Sequence, residues 1–208
     1  MKRVLPLLGS LLLLAGCRTA PPAAAPAARA AYFPLVTGAM WTRRAEDGGT
    51  ITARVVGTKS VGGRSCAVLE TVIERDDRRR VSRVCYEATD DAVRALETES
   101  LGRTIVLDPP RTVLLLPPQA GRAWSWEPPG ERVPSRITDT WVAEEEVRVA
   151  AGTFRAWKLR TVTVRGDLTV TLFTWYAPGV GIVKIARAEQ RGTQQREGGS
   201  ELVRYRVP

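Results

Sequence analysis

From Ala39 onward the chain alternates apolar and polar residues in short runs, and no stretch repeats at the spacing of a long amphipathic helix. Leu168-Thr-Val-Thr-Leu-Phe-Thr-Trp175 sets large apolar residues against threonine at every second position until Phe173, the period of a half-buried strand. Twelve runs rich in Val, Thr, Ile and Trp read as strands. They are Met40–Ala45, Thr50–Lys59, Cys66–Glu74, Arg80–Tyr86, Ala92–Thr98, Arg103–Leu107, Thr112–Leu116, Arg136–Val149, Phe154–Val164, Leu168–Tyr176, Ile182–Gln190 and Leu202–Val207. Asp90–Ser100 is ambiguous between strand and helix. Gly48-Gly49, Gly62-Gly63, Pro109-Pro110, Pro128-Pro129-Gly130, Gly166-Asp167 and Pro178-Gly179 punctuate the runs as turns. Short, regularly spaced strands with such turns predict an all-β single domain over residues 32–208. It would be an antiparallel open (half) barrel or a two-sheet sandwich.

Arg155–Val164 and Leu168–Tyr176 form the clearest hairpin, turning at Arg165-Gly166-Asp167. That tripeptide matches an adhesion motif, but Gly and Asp are also what a tight turn uses, and the turn is the better reading. A second hairpin, centred near Arg75-Asp76, would set Cys66 opposite Cys85 and predicts a disulfide between them in an oxidising compartment. The alternatives are two free thiols or redox chemistry, and the Cys-x-x-Cys spacing of redox proteins is missing.

Most of the six tryptophans are expected in the core. Trp124 and Trp126 differ: they share one face of a segment bounded by Pro117-Pro118 and Pro128-Pro129, and would edge an apolar cavity. Leu114, Leu115 and Leu116, in the continuous apolar run just before, would form the wall of such a cavity or a strand buried on both faces. These five residues are the candidate ligand-binding set.

The first residues have a different design. Lys2 and Arg3 precede a short apolar run, Val4–Leu14, the layout of a secretory leader and too short to span a bilayer. Leu14-Ala15-Gly16-Cys17 resembles the bacterial lipobox, with residues 1–16 as signal peptide. That resemblance implies cleavage before Cys17 and a diacylglyceryl thioether on its sulfur; an ordinary leader that happens to hold a cysteine is the alternative. Two or more acyl chains hold a protein firmly at a bilayer. Arg18 after the cysteine, rather than aspartate, favours by the same resemblance the outer membrane, periplasmic face. Residues 17–31 are then a lipidated cysteine and a Pro/Ala-rich tether that reaches about 40 Å when extended.

The formal charge of +9, or +7 once Lys2 and Arg3 are removed with the leader, comes almost wholly from arginine; there is no histidine and no asparagine. A GC-rich genome accounts for this. A functional account is attraction to anionic lipid headgroups or cell-wall polymers. No nucleic-acid-binding motif is present.

Tyr32-Phe33-Pro34-Leu35 followed by Gly38 and Trp41, then Ala151-Gly152-Thr153-Phe154 with Trp157-Lys158, then Trp175-Tyr176-Ala177-Pro178-Gly179-Val180-Gly181, form an ordered set of motifs. The set resembles that of a group of uncharacterised secreted bacterial β-rich proteins. More distantly it is similar to the open barrel of the lipoprotein carriers LolA and LolB. The resemblance implies a fold and transfers no catalytic or binding residue.

Without histidine there is no Ser-His-Asp triad, Cys-His dyad or histidine metal site, and no Walker loop or dinucleotide fingerprint appears. The paired acids Asp76-Asp77, Asp90-Asp91 and Glu144-Glu145-Glu146 read as solvated turns and a charged edge rather than a glycosidase pair. The expectation is therefore a membrane-anchored non-enzyme without cofactor or metal. Either it binds a lipid or other apolar ligand in its β body, or it is an assembly lipoprotein docking another envelope protein. A carboxylate hydrolase is the weakest of three readings.

Overall fold

The computed structural model describes residues 32–130 and 133–208. The leader, Cys17 and the tether lie outside the described residues. Twelve strands follow one another: β1 (Met40–Ala45), β2 (Thr50–Val61), β3 (Arg64–Arg75), β4 (Arg78–Ala88), β5 (Ala92–Ser100), β6 (Arg103–Leu115), β7 (Ala123–Trp126), β8 (Ser135–Val149), β9 (Gly152–Arg165), β10 (Leu168–Ala177), β11 (Gly181–Arg191) and β12 (Gln194–Arg206). They form one sheet in the order β6-β5-β4-β3-β2-β1-β12-β11-β10-β9-β8-β7, with antiparallel pairing throughout. Each strand pairs with its chain neighbours, except that β1 pairs with β12 and the consecutive strands β6 and β7 become the two edges. Of the two predicted architectures the open barrel is the one formed: one sheet curled into a nearly closed barrel.

The alternation read along each run is what curls it. On β2, Ile51, Ala53 and Val55 point to the concave face beside Ile73, Thr71 and Leu69 of β3, while Arg54 pairs with Glu70 on the convex face. Register shifts interrupt six strand pairs, among them those at Thr42/Arg43, Val55/Gly57, Cys85/Tyr86, Ala95/Glu97, Trp141/Ala143 and Trp175/Tyr176. Bulges sharpen the local twist and bend strands, which helps a sheet to curl.

Because the strands run up and down, successive turns lie at opposite ends. One end carries both termini of the described domain and is packed shut. Trp141, with no exposed surface, meets the rings of Trp157, Tyr176 and Trp124 at 5.9–6.3 Å. Phe33 is set edge-on to Tyr86 at 5.2 Å and to Tyr176 at 6.2 Å, so the segment entering the domain acts as a plug. The Trp41 indole donates to the Val180 carbonyl in the turn between β10 and β11. Gly181 follows, at φ +92°, and a Cβ there would stand 3.3 Å from Pro34 Cδ. The opening motif and the Pro178–Gly181 motif are thus two halves of one lid.

Three sequence expectations are corrected. Arg103–Leu107 and Thr112–Leu116 are not two strands separated by a Pro109-Pro110 turn. Both belong to β6, which pairs Val106 with Glu97 and Arg111 with Ala95, leaving the residues between them unpaired with β5. Proline lacks the ladder donor, and an edge strand tolerates that loss. Ala123–Trp126, outside the twelve predicted runs, is itself a strand, whereas the ambiguous stretch Asp90–Ser100 holds strand β5 where the run Ala92–Thr98 predicted it. The Cys66–Cys85 bridge is present, with Cα atoms 5.5 Å apart, but the hairpin turns at Asp76-Asp77, so Val68 rather than Cys66 stands opposite Cys85. The bridge is diagonal, in a small convex-face cluster with Leu96, Val61 and Val68.

Much of the arginine excess is spent on the outer wall. Arg83 pairs with Glu70 and Glu99, Arg64 with Glu87, and Arg155 with Glu144 across neighbouring strands. Exposed pairs of this kind are screened by water and contribute little each.

Candidate functional site: a cavity at the seam

No backbone ladder joins β6 to β7. Instead, indoles bridge the seam. Trp124 donates to the carbonyl of Thr112 at 3.0 Å, Trp126 to that of Pro109 at 3.0 Å, and Trp141 to that of Leu115 at 2.8 Å. Carbonyls that an edge strand leaves unpaired are the acceptors available there, and tryptophan supplies a donor on a large apolar body.

Behind this seam, towards the open end, lies a cavity of about 550 Å³, within the range that holds a small ligand. Val84, Ile105, Val113, Trp126 and Ile137 give it apolar walls. Tyr86 and Arg111 also line it, and behind them Asp139 accepts the Thr161 hydroxyl. Arg111 Nη2 stands 3.7 Å from Asp139 Oδ2, an ion pair without a hydrogen bond. Asp139 is 1% exposed. Burial holds its carboxyl above the usual aspartate range, against the pull of Arg111 and Thr161. Burial likewise raises the Tyr86 and Tyr176 phenols, so both stay protonated, and lowers the Arg43 guanidinium. The charges of Asp139, Arg111 and Arg43 and the Tyr86 phenol all reach Tyr176, so these five polar groups form one neighbourhood, a polar layer in the barrel interior, with Arg111 and Asp139 in direct ion-pair range.

Three buried polar atoms of the described residues lack a hydrogen-bond partner: Arg43 Nε, Arg111 Nε and Asp139 Oδ2. All belong to this layer. Such orphans are uncommon in folded proteins, where an ordered water or a bound group ordinarily completes the hydrogen bonding.

A second hollow of about 580 Å³ lies on the concave face between Ile51, Ile73, Leu172 and Ile185, rimmed by Arg75, Arg78, Arg80 and Arg187. Large apolar side chains are also exposed at the open end. Leu101 is 83% exposed at the β5–β6 turn, and Ile105 and Val106 are more than half exposed on β6.

Of the five residues singled out from the sequence, Trp126 lines the seam cavity. Trp124 packs against Trp141 instead. Leu114 and Leu116 are buried in the closed-end core, and Leu115 serves the seam through its carbonyl; none of the three lines either hollow. The structure therefore places Leu114–Leu116 in the packed wall rather than around a ligand. The polar layer was missed, although a signal was present. Ile137-x-Asp139-x-Trp141 and Trp41-x-Arg43 each set a charge at an inward position of an alternating strand. The acid pairs that the sequence drew attention to sit apart: Asp76-Asp77 at an open-end turn, Asp90-Asp91 at the opposite end, and Glu144–Glu146 along β8.

No protein-family model matches the chain, and no curated protein matches it. Among solved structures it is similar to a candidate lipoprotein from Parabacteroides distasonis, with a TM-score of 0.51 at 11% identity over 84% of this chain and 98% of that one. A candidate exported protein with a YmcC-like fold from Bacteroides fragilis aligns over the same shares at 16% identity, with a TM-score of 0.47. At 11% identity the likeness to the Parabacteroides protein is one of fold.

Proposed function

We propose that this is a lipid-anchored protein of the cell envelope, held through Cys17 at the periplasmic face of the outer membrane, whose barrel binds a lipid or other apolar ligand. The observation that carries the reading is the seam cavity: an apolar-walled space open at one end of a barrel whose other end is packed shut. The lipobox resemblance supports the anchor, and the fold shared with the Parabacteroides candidate lipoprotein is consistent with it. The test is native mass spectrometry of the full-length protein extracted from its own membranes, followed by solvent extraction. One apolar adduct per chain is expected, and a clean ligand-free mass would overturn the reading.

A second reading, docking of an envelope protein, rests on β6. This edge strand exposes Ile105 and Val106 beside a backbone that no neighbour completes along its whole length, and such edges accept an added strand. Cross-linking from position 106 in intact cells would trap a discrete protein partner if this reading holds.

A further inference from the structure

We infer that the ligand of the seam cavity is an anionic amphiphile, a single acyl chain carrying a carboxylate or phosphate head, and that it lies head-inward with its head on Arg111. The inference rests on the ligand-binding reading above and adds the chemical class and the orientation.

Charge is the first argument. The polar layer holds two guanidiniums, Arg43 and Arg111, against one carboxylate, Asp139. Besides Arg111, the charged residues that line the cavity are Asp108 and Arg165, one of each sign and both exposed. Arg43 has no ion-pair partner among the described residues. A cation withdrawn from water without a counter-charge is costly, so the layer is stabilised by an anion arriving from outside.

Hydrogen bonding is the second. Arg111 meets Asp139 at 3.7 Å without a hydrogen bond, and its Nε is buried and unpartnered. Its planar fork therefore retains donors, in the geometry that carboxylate and phosphate oxygens match. Tyr86, protonated by virtue of its burial, adds a hydroxyl on the same wall.

Polarity along the cavity is the third. The buried charge of the lining, Arg111, lies deep, beside Tyr86. Above it come Val84 and Ile137, and Ile105 reaches the mouth while 54% exposed. Asp108 and Arg165 bring one exposed charge of each sign to the lining. A head-outward lipid would set its chain against the buried guanidinium, whereas the head-inward pose matches the deep end.

The test uses full-length protein released from nonionic detergent micelles and titrated in native mass spectrometry with oleate, oleyl alcohol, a lysophosphatidic acid of the same chain, and inorganic phosphate. One oleate or lysophosphatidic acid per chain is expected, at least tenfold tighter than oleyl alcohol; which of the two binds tighter identifies the head. Arg111→Met paired with Asp139→Asn, which leaves no uncompensated carboxylate, should bring oleate down to the affinity of the alcohol while alcohol binding is retained. Equal binding of oleate and alcohol by the native protein would overturn the charged-head inference and leave the apolar-ligand reading standing. Phosphate binding as tightly as oleate would overturn the acyl part. Binding of none of the four would overturn both.

Discussion

The two ends of the barrel are built from the same alternating strands to opposite effect. At the closed end Trp141, Leu114, Val183 and Leu202 have no exposed surface, and the plug of Phe33 stands edge-on to Tyr86 and to Tyr176, which in turn meets Trp141. At the open end the hairpins continue past the core: Leu101 stands in water, Ile73 is 41% exposed, and two hollows take the place of side chains. The barrel interior also holds the polar layer of Arg43, Tyr86, Arg111, Asp139 and Tyr176. The contrast shows how a small barrel keeps a space inside without losing its fold. Stability is concentrated where aromatics fill the section, so the opposite half can remain under-packed. Interiors normally reach close packing, and a region that falls short of it is available to a ligand.

Truncation should separate the two ends most sharply. Trp141→Ala removes the side chain at the centre of the packed section and is expected to cost about 3–5 kcal/mol in urea denaturation. Ile137→Ala, on the cavity wall four residues away along the same strand, should cost about 1 kcal/mol. Equal losses would mean that the open end carries as much of the core as the closed one.

Replacing both cysteines by alanine removes a bridge across 19 positions of chain. This should lower stability by about 3 kcal/mol, measured against the native protein under non-reducing conditions. The bridge lies on the convex face, so ligand binding in the same variant should be unchanged.

The seam is weaker. Trp124→Phe and Trp126→Phe each delete one indole donor to β6 and should cost about 1 kcal/mol apiece. Their stronger signature is faster amide exchange along β6 than along β3, which pairs on both sides. Unchanged exchange in the double variant would show that the seam is held by packing alone.

The smallest effect is a pH slope. Burial raises the folded-state pKa of Asp139 above its unfolded value, so the folded protein binds the extra proton. Its contribution to stability therefore falls as pH rises from about 4, the ordinary aspartate value, through the raised folded pKa. Glu87 and Asp91, lowered by a hydrogen bond from Arg64 and from Thr89 respectively, slope the other way. The comparison must therefore be made between native protein and Asp139→Asn, and the difference in stability between them should change across that window. A flat difference would remove Asp139 from the titrating set.

The all-β class, most strand positions, the hairpin of β9 and β10 and the identity of the disulfide partners were legible in the residues themselves. Alternation and turn chemistry act over a few positions, and Leu168–Trp175 or Gly166-Asp167 carry their information locally. What tertiary structure alone decided is non-local. A single barrel and a two-sheet sandwich require the same alternation, and the pairing of Met40–Ala45 with the far end of the chain chose between them. That closure made β6 and β7 the edges, turned Trp124 and Trp126 into bridges, and sent Leu114 into the core. The diagonal offset of Cys66 and Cys85 follows from a turn displaced by one residue, a difference that two neighbouring acids, Asp76 and Asp77, leave open. The polar layer is the clearest case. Arg43, Arg111 and Asp139 lie on three strands far apart in sequence, and nothing in their local surroundings states that they share one interior. The closing of the barrel brought them together, because it alone decides which residues occupy the same level of the concave face.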